Sequence, residues 1–204
     1  MNKDIEKLIV SAIHLGASEV GVISPMDIRV EDNLAGLCNG DPACENYGLS
    51  MSCPPHVGGP AKFREWQKHS NFALVFRIDV PAAVMFSEER REVMQLLHEI
   101  VASVEQEAIE MGYHGSMSFA GGSCKKLFCG DQNDCRVLAE NGACRNPDSA
   151  RPSMSGFGIN VAKLMQSAGW PLKPAKPDDA SDAESMTWVA GLVLISENEN
   201  CQNV

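Results

Sequence analysis

The sequence predicts a single α/β domain, with a mixed sheet of about four strands, flanking helices and two long cysteine-bearing loops. Three observations predict it. Apolar residues recur at helical spacing in some segments and alternate in others, giving an α-β-loop-α-β-α-β-loop-α-loop-β order. The stretch from Phe72 to Ala120 reads strand–helix–strand, and its long crossover helix favours a parallel or mixed sheet with a right-handed connection. The chain has 204 residues, 44% of them hydrophobic, enough for one sizeable core, so residues 1–204 are expected to form one domain.

Each element has a local reason. Ile5, Leu8, Ile9, Ala12 and Ile13 share one helical face, so residues 3–15 are expected to be helical, with Gly16 as the stop. Residues 19–24 read as a short strand. Residues 31–60 are rich in Gly, Pro, Asn and Ser and read as loop. A short helix over 61–69 precedes a clear strand, in which Phe72, Leu74, Phe76, Ile78 and Val80 alternate with Ala73, Val75, Arg77 and Asp79 up to Pro81. Ser87 is expected to cap the next helix. Val93, Leu97, Ile100, Val104, Ala108 and Met111 form its buried stripe, and Gly112 closes it. Residues 114–120 read as a strand and the segment onward to Pro152 as a long loop. A helix is expected from Gly158 to Ala168, a polar Pro-rich loop over 171–184, and a final apolar strand from Trp188 to Ile195.

Lys and Arg number 17 and Asp and Glu 27, so the formal net charge is 17 − 27 = −10. A surface of that sign disfavours non-specific nucleic-acid binding, and it leaves room for a basic protein partner. No stretch is long and apolar enough to span a bilayer. Lys3, Asp4, Glu6 and Lys7 interrupt the start, which is unlike a signal peptide, so a cytoplasmic location is expected.

In that compartment eight cysteines point to metal or redox chemistry rather than disulfides. Cys38, Cys44 and Cys53 form one group, and Cys124, Cys129, Cys135 and Cys144 a second, with no cysteine between the groups. Cys201 stands apart among polar residues and reads as a bystander. The second group has spacings of four, five and eight intervening residues. Zinc sites prefer pairs two to four apart, whereas iron–sulfur clusters tolerate wider steps, so iron–sulfur is favoured and zinc is the alternative. Three thiolates leave the first group one donor short. His56, Cys201, a carboxylate, a cysteine of the other group or a small molecule would each complete it. Cys53-Pro54 has the form of a ferredoxin-type cluster loop. Arg145 and Arg151 follow the second group, as ordinary surface charge or as a clamp for cluster charge or an anionic ligand. Tyr47 either shields a cluster or packs its loop. His14, His69, His98 and His114 show no ligand spacing, and no phosphate loop or nucleophile elbow is present.

The run Cys44-x2-Tyr47-Gly48-x4-Cys53-Pro54-Pro55 resembles the first signature of the DUF2284 family of predicted metal-binding proteins. Gly122-Ser123-Cys124, Cys129, Cys135 and Cys144-Arg145-x-Pro147-x3-Arg151-Pro152-Ser153-Met154-x3-Gly158-Ile159 resemble its second. The resemblance runs over most of the chain. It implies metal bound at the seven grouped cysteines, with iron–sulfur clusters as the expected group and an anaerobe as the host, and it supplies no reaction. One departure is that the family often carries an acidic residue and Ala after the Met, where this chain has Ser155 and Gly156, so a role for an acid there does not carry over. The expectation is a redox or electron-transfer protein with a 4Fe–4S cluster on the four-cysteine group, a second centre on the three-cysteine group and an unidentified redox partner protein. The rivals are an enzyme binding a small substrate at an open cluster iron, and a structural zinc module. Oligomeric state is left open.

Overall fold

The computed structural model describes residues 2–170 and 185–197. The expected 171–184 loop and Cys201 lie outside the described residues. The chain begins with α1 (Lys3–His14), capped by the Asn2 side chain, which accepts from the Asp4 amide at 3.1 Å. Then come β1 (Glu19–Ile23), α2 (Asp32–Gly36), α3 (Gly59–His69), β2 (Phe72–Pro81), α4 (Ala82–Met85) and α5 (Arg90–Glu110). β3 (Met117–Phe119), α6 (Cys124–Phe128), α7 (Arg136–Glu140), α8 (Val161–Ser167) and β4 (Met186–Ile195) complete the order.

The alternation of β2 sends its side chains into two different cores. Leu74, Phe76, Ile78 and Val80 join α1 and α5 on one face of the sheet. Ala73 and Val75 join α3, α8 and the aromatic group Phe63, Trp66, Phe119 and Phe157 on the other. β4 divides in the same way, with Val193 and Ile195 on the first side and Leu192 and Leu194 on the second. A sheet covered on both faces explains why both strands read as almost continuous apolar runs.

The α/β class and the four strands match the sequence. The pairing is more particular: the strand order is β1-β2-β4-β3, and every paired neighbour is antiparallel. β2 and β3 do run in the same direction across the long helix α5, as a crossover unit requires, but β4 enters between them. The sheet is therefore antiparallel rather than mixed. A strand arriving from the far end of the chain is a non-local pairing that the Phe72–Ala120 pattern does not contain.

Smaller differences have local causes. α5 starts at Arg90 with Glu89 at its cap, because the Ser87 hydroxyl instead accepts from the Glu89 amide in a separate turn. His98 is fully buried on α5, and the expected loops contain the short helices α2, α6 and α7. Each of those has five residues, too few for a periodic signal. Among the described residues no helix is long and apolar enough to cross a membrane.

Candidate metal centre

The segment from Ala120 to Ile159 holds the two cysteine loops against each other. Ala120 and Ser153 form a parallel bridge, and Val30 and Ile159 an antiparallel one. The Ser153 amide donates to the Ser52 carbonyl at 3.1 Å, and the Glu31 amide donates to the Gly158 carbonyl at 2.8 Å. Both loops therefore lie at one place, beyond the end of β3.

Cys124, Cys129, Cys135 and Cys144 line one narrow cavity of about 20 Å³, together with Ser50, Arg145 and Asn146. Three of the four sulfurs accept a hydrogen bond. The Ser52 hydroxyl donates to Cys124 Sγ at 3.0 Å. Asn146 Nδ2 donates to Cys129 Sγ at 3.2 Å, and the Asn146 amide to Cys144 Sγ at 3.4 Å. Cys135 is the N-cap residue of α7, with no side-chain bond to the helix amides, and its thiol lies near the amides of Met51, Leu138 and Val137. Burial alone would raise the Cys135 pKa, but those three amides and the nearby Arg145 outweigh it and bring the thiol below its ordinary value. Cys124 goes the other way: burial pushes its pKa up, with Cys144 and Cys53 adding to the rise, against the lowering bonds from Ser52 and Ser50.

Cys38, Cys44 and Cys53 line a second, larger cavity of about 140 Å³ with Tyr47, Pro54 and Ser123. Burial first, and then the neighbouring Cys44 and Cys53, raise the Cys38 pKa. Cys53 is buried and Cys44 exposed. The sulfurs here are poorer in donors, with Ser52 Oγ 3.9 Å from Cys53 Sγ. Ser52 thus stands between the two cavities, touching Cys124 of one and Cys53 of the other.

The structure brings the seven cysteines together as a four and a three around adjoining cavities. Among the described residues, no three Cys, His, Asp or Glu side chains are near enough to grip a single metal ion as they stand. Arg145 lines the four-thiol cavity and donates to the Asp134 carbonyl at 3.1 Å. Arg151 is not among the residues lining either cavity. Its Nε donates to Glu105 and Ser118, and its Nη1 to the Pro147 and Ala150 carbonyls, so it ties α5 and β3 to the exit of the second loop. His56 is exposed beside the Gly48 carbonyl, and Tyr47, Ser155 and Gly156 line the three-thiol cavity. Ser50, Ser52 and Asn146, and the amide of Met51, are the residues that sequence reading missed. In a loop, Ser and Asn read as turn formers, and only folding brings Ser52 to a sulfur 72 residues away.

The chain can be set against known proteins on this geometry. The family model described as "Predicted metal-binding protein (DUF2284)" matches residues 21–195, most of the chain, including all seven grouped cysteines. The chain belongs to DUF2284. No curated protein and no solved structure matches it. The DUF2284 match begins within β1 and ends at the last residue of β4, so it takes in all of the sheet but the first two residues of β1, as well as both cysteine loops. The donor set fits the metal binding predicted for DUF2284: thiols are soft ligands that bind metal as thiolates, and donors aimed at sulfur favour that form.

Proposed function

We propose that the chain is an iron–sulfur protein that carries electrons in anaerobic metabolism. Cys124, Cys129, Cys135 and Cys144 would hold a 4Fe–4S cluster, and Cys38, Cys44 and Cys53 a second centre. The observation that carries this reading is that all four cysteines of the second group ring one cavity and the sulfurs of Cys124, Cys129 and Cys144 each accept an N–H or O–H. Hydrogen bonds to ligand sulfur tune the reduction potential of such clusters. Arg145, beside the same cavity, offsets thiolate charge. The four thiols would hold the cluster with Cys124 and Cys129 at the two ends of α6 and Cys135 at the start of α7. The adjoining cavities favour electron passage between two centres, and the exposed Cys44 gives the outer centre a contact point for a redox partner protein.

The test is anaerobic purification followed by iron, sulfide and zinc analysis with visible absorbance and electron paramagnetic resonance. The expected result is a brown protein with about eight iron and eight sulfide per chain, reducible by dithionite. A colourless protein loaded with zinc overturns it.

A further inference from the structure

The three-thiol cavity lacks a fourth cysteine, and its remaining lining is Asn46, Tyr47, Pro54, Gly122, three serines and Gly156. No carboxylate, histidine or cysteine of the other group is among them. Of the serines, Ser155 is exposed, whereas Ser123 and Ser153 are 4% and 7% exposed. Of these two only Ser123 has a buried hydroxyl without a hydrogen-bond partner among the described residues. A hydroxyl removed from water without a partner is costly, and native proteins rarely keep one without a use.

The backbone around it is built to bring it there. Gly122 has φ of +80°, a left-handed conformation that a side chain resists. A Cβ on Gly121 would come within 2.7 Å of Met94 Cε. The chain therefore turns tightly against α5 and delivers consecutive residues to different cavities: Ser123 to the three-thiol cavity and Cys124 to the four-thiol cavity. Ser52 and Cys53 do the reverse, with Ser52 donating to Cys124 and Cys53 lining the three-thiol cavity.

We propose that Ser123 supplies the fourth protein donor to the centre held by Cys38, Cys44 and Cys53. The inference rests on the iron–sulfur reading and deepens it. The Oγ–iron bond forms as the hydroxyl proton leaves to water, so the donor is an alkoxide, harder than a thiolate. Ser123 also lines the neighbouring cleft of about 450 Å³ that carries Arg90, Arg91 and Lys126. A donor at Ser123 closes the iron on that side against small molecules, which assigns the centre to electron transfer rather than substrate binding.

The experiment compares anaerobically purified parent, Ser123→Ala and Ser123→Cys by iron and sulfide content, redox titration and electron paramagnetic resonance after mild ferricyanide oxidation. The parent is expected to keep about eight iron per chain, and Ser123→Ala to lose about one and show a three-iron signal. Ser123→Cys is expected to keep its iron, with the potential of one centre shifted and the other unchanged. Added 2-mercaptoethanol should perturb the spectrum of Ser123→Ala and leave the parent unchanged. Ser123→Ala with full iron and the parental signal overturns the proposal, as does a parent perturbed equally by the thiol. If Ser123→Ala does not accumulate, unchanged potentials in Ser123→Cys overturn it. A parent free of iron and sulfide overturns the iron–sulfur reading itself, a result distinct from all of these.

Discussion

Single hydroxyls and rings set the conditions at the candidate site. Ser52 donates to Cys124 Sγ at 3.0 Å from a buried position. On the proposed iron–sulfur reading, reduction would add negative charge to the cluster and its sulfurs, so this bond would strengthen in the reduced state and raise the potential. A hydrogen bond of about 1 kcal/mol corresponds to about 40 mV for one electron. Ser52→Ala is expected to lower the potential of one centre by about that amount in a redox titration, and an unchanged potential would remove Ser52 from the tuning set. His98 acts on stability instead. Its Nε2 lies 2.9 Å from the Gly121 carbonyl, its Nδ1 accepts from the Arg151 amide at 3.2 Å, and Phe128 packs edge-on against it. Burial holds its pKa below the ordinary value, with Arg151 adding to the lowering against the raising backbone bonds from Gly121 and Ser149. A depressed histidine pKa means that the unfolded chain takes the proton first. Its contribution is full above about pH 6.5 and is lost as pH falls toward the folded value. The urea midpoint of the parent is expected to drop between about pH 7.5 and pH 5.5 by more than that of His98→Gln. Equal drops would show that His98 does not titrate on unfolding.

At the scale of elements, the site depends on the seam between the loop before α3 and the turn before α8. Gly158 lies in that seam with φ of +69°, and a Cβ there would sit 2.3 Å from the Glu31 carbonyl oxygen. Backbone does not yield as a flexible side chain does. Gly158→Ala is therefore expected to destabilise by about 2–4 kcal/mol, from left-handed strain plus the clash. Gly169 has φ of +79° and nothing within 4 Å of its would-be Cβ, so Gly169→Ala should cost only the strain, about 1 kcal/mol. Denaturant midpoints of the two variants separate the contributions, and equal losses would mean that the seam gives way freely. The elements differ in how far the sequence announces them. The α5 stripe was readable because Leu97, Ile100, Val104 and Ala108 repeat on one face, and β2 because it is apolar from Phe72 to Phe76 and then alternates through Arg77, Ile78, Asp79 and Val80. The insertion of β4 between β2 and β3 was not, since a strand pattern states which faces are buried and not which neighbour it will have. The cysteine grouping was likewise written in the spacing. The crossing of Ser52–Cys53 with Ser123–Cys124 depends on a long-range approach of two loops that no local pattern records.

The whole molecule separates into a part that folds by packing and a part arranged for metal. The two cores on either face of the sheet contain none of the cysteines, and their buried residues come mainly from the four strands, α1, α3, α5 and α8, with Leu127 of α6 the contribution from the short helices of the cysteine loops. The sheet layer therefore has its own source of stability in buried apolar surface. The cysteine loops have little of this kind: among the residues of α6 and α7 only Leu127 is buried, and α2 has none buried. A small zinc finger unfolds entirely when its metal is removed, because nothing else holds it. Here metal removal should release the loops and leave the sheet intact. Trypsin reports the difference, since Lys125, Lys126, Arg136 and Arg145 all lie in the second loop. After anaerobic chelation, rapid cleavage at those four sites is expected, with most of the far-ultraviolet circular dichroism retained. Cleavage throughout the chain with collapse of the dichroism would mean that the metal stabilises the whole fold. Unchanged resistance at the four sites would mean that the loops are held by the Ser52, Asn146 and amide contacts alone, and that metal arrives at a scaffold already made.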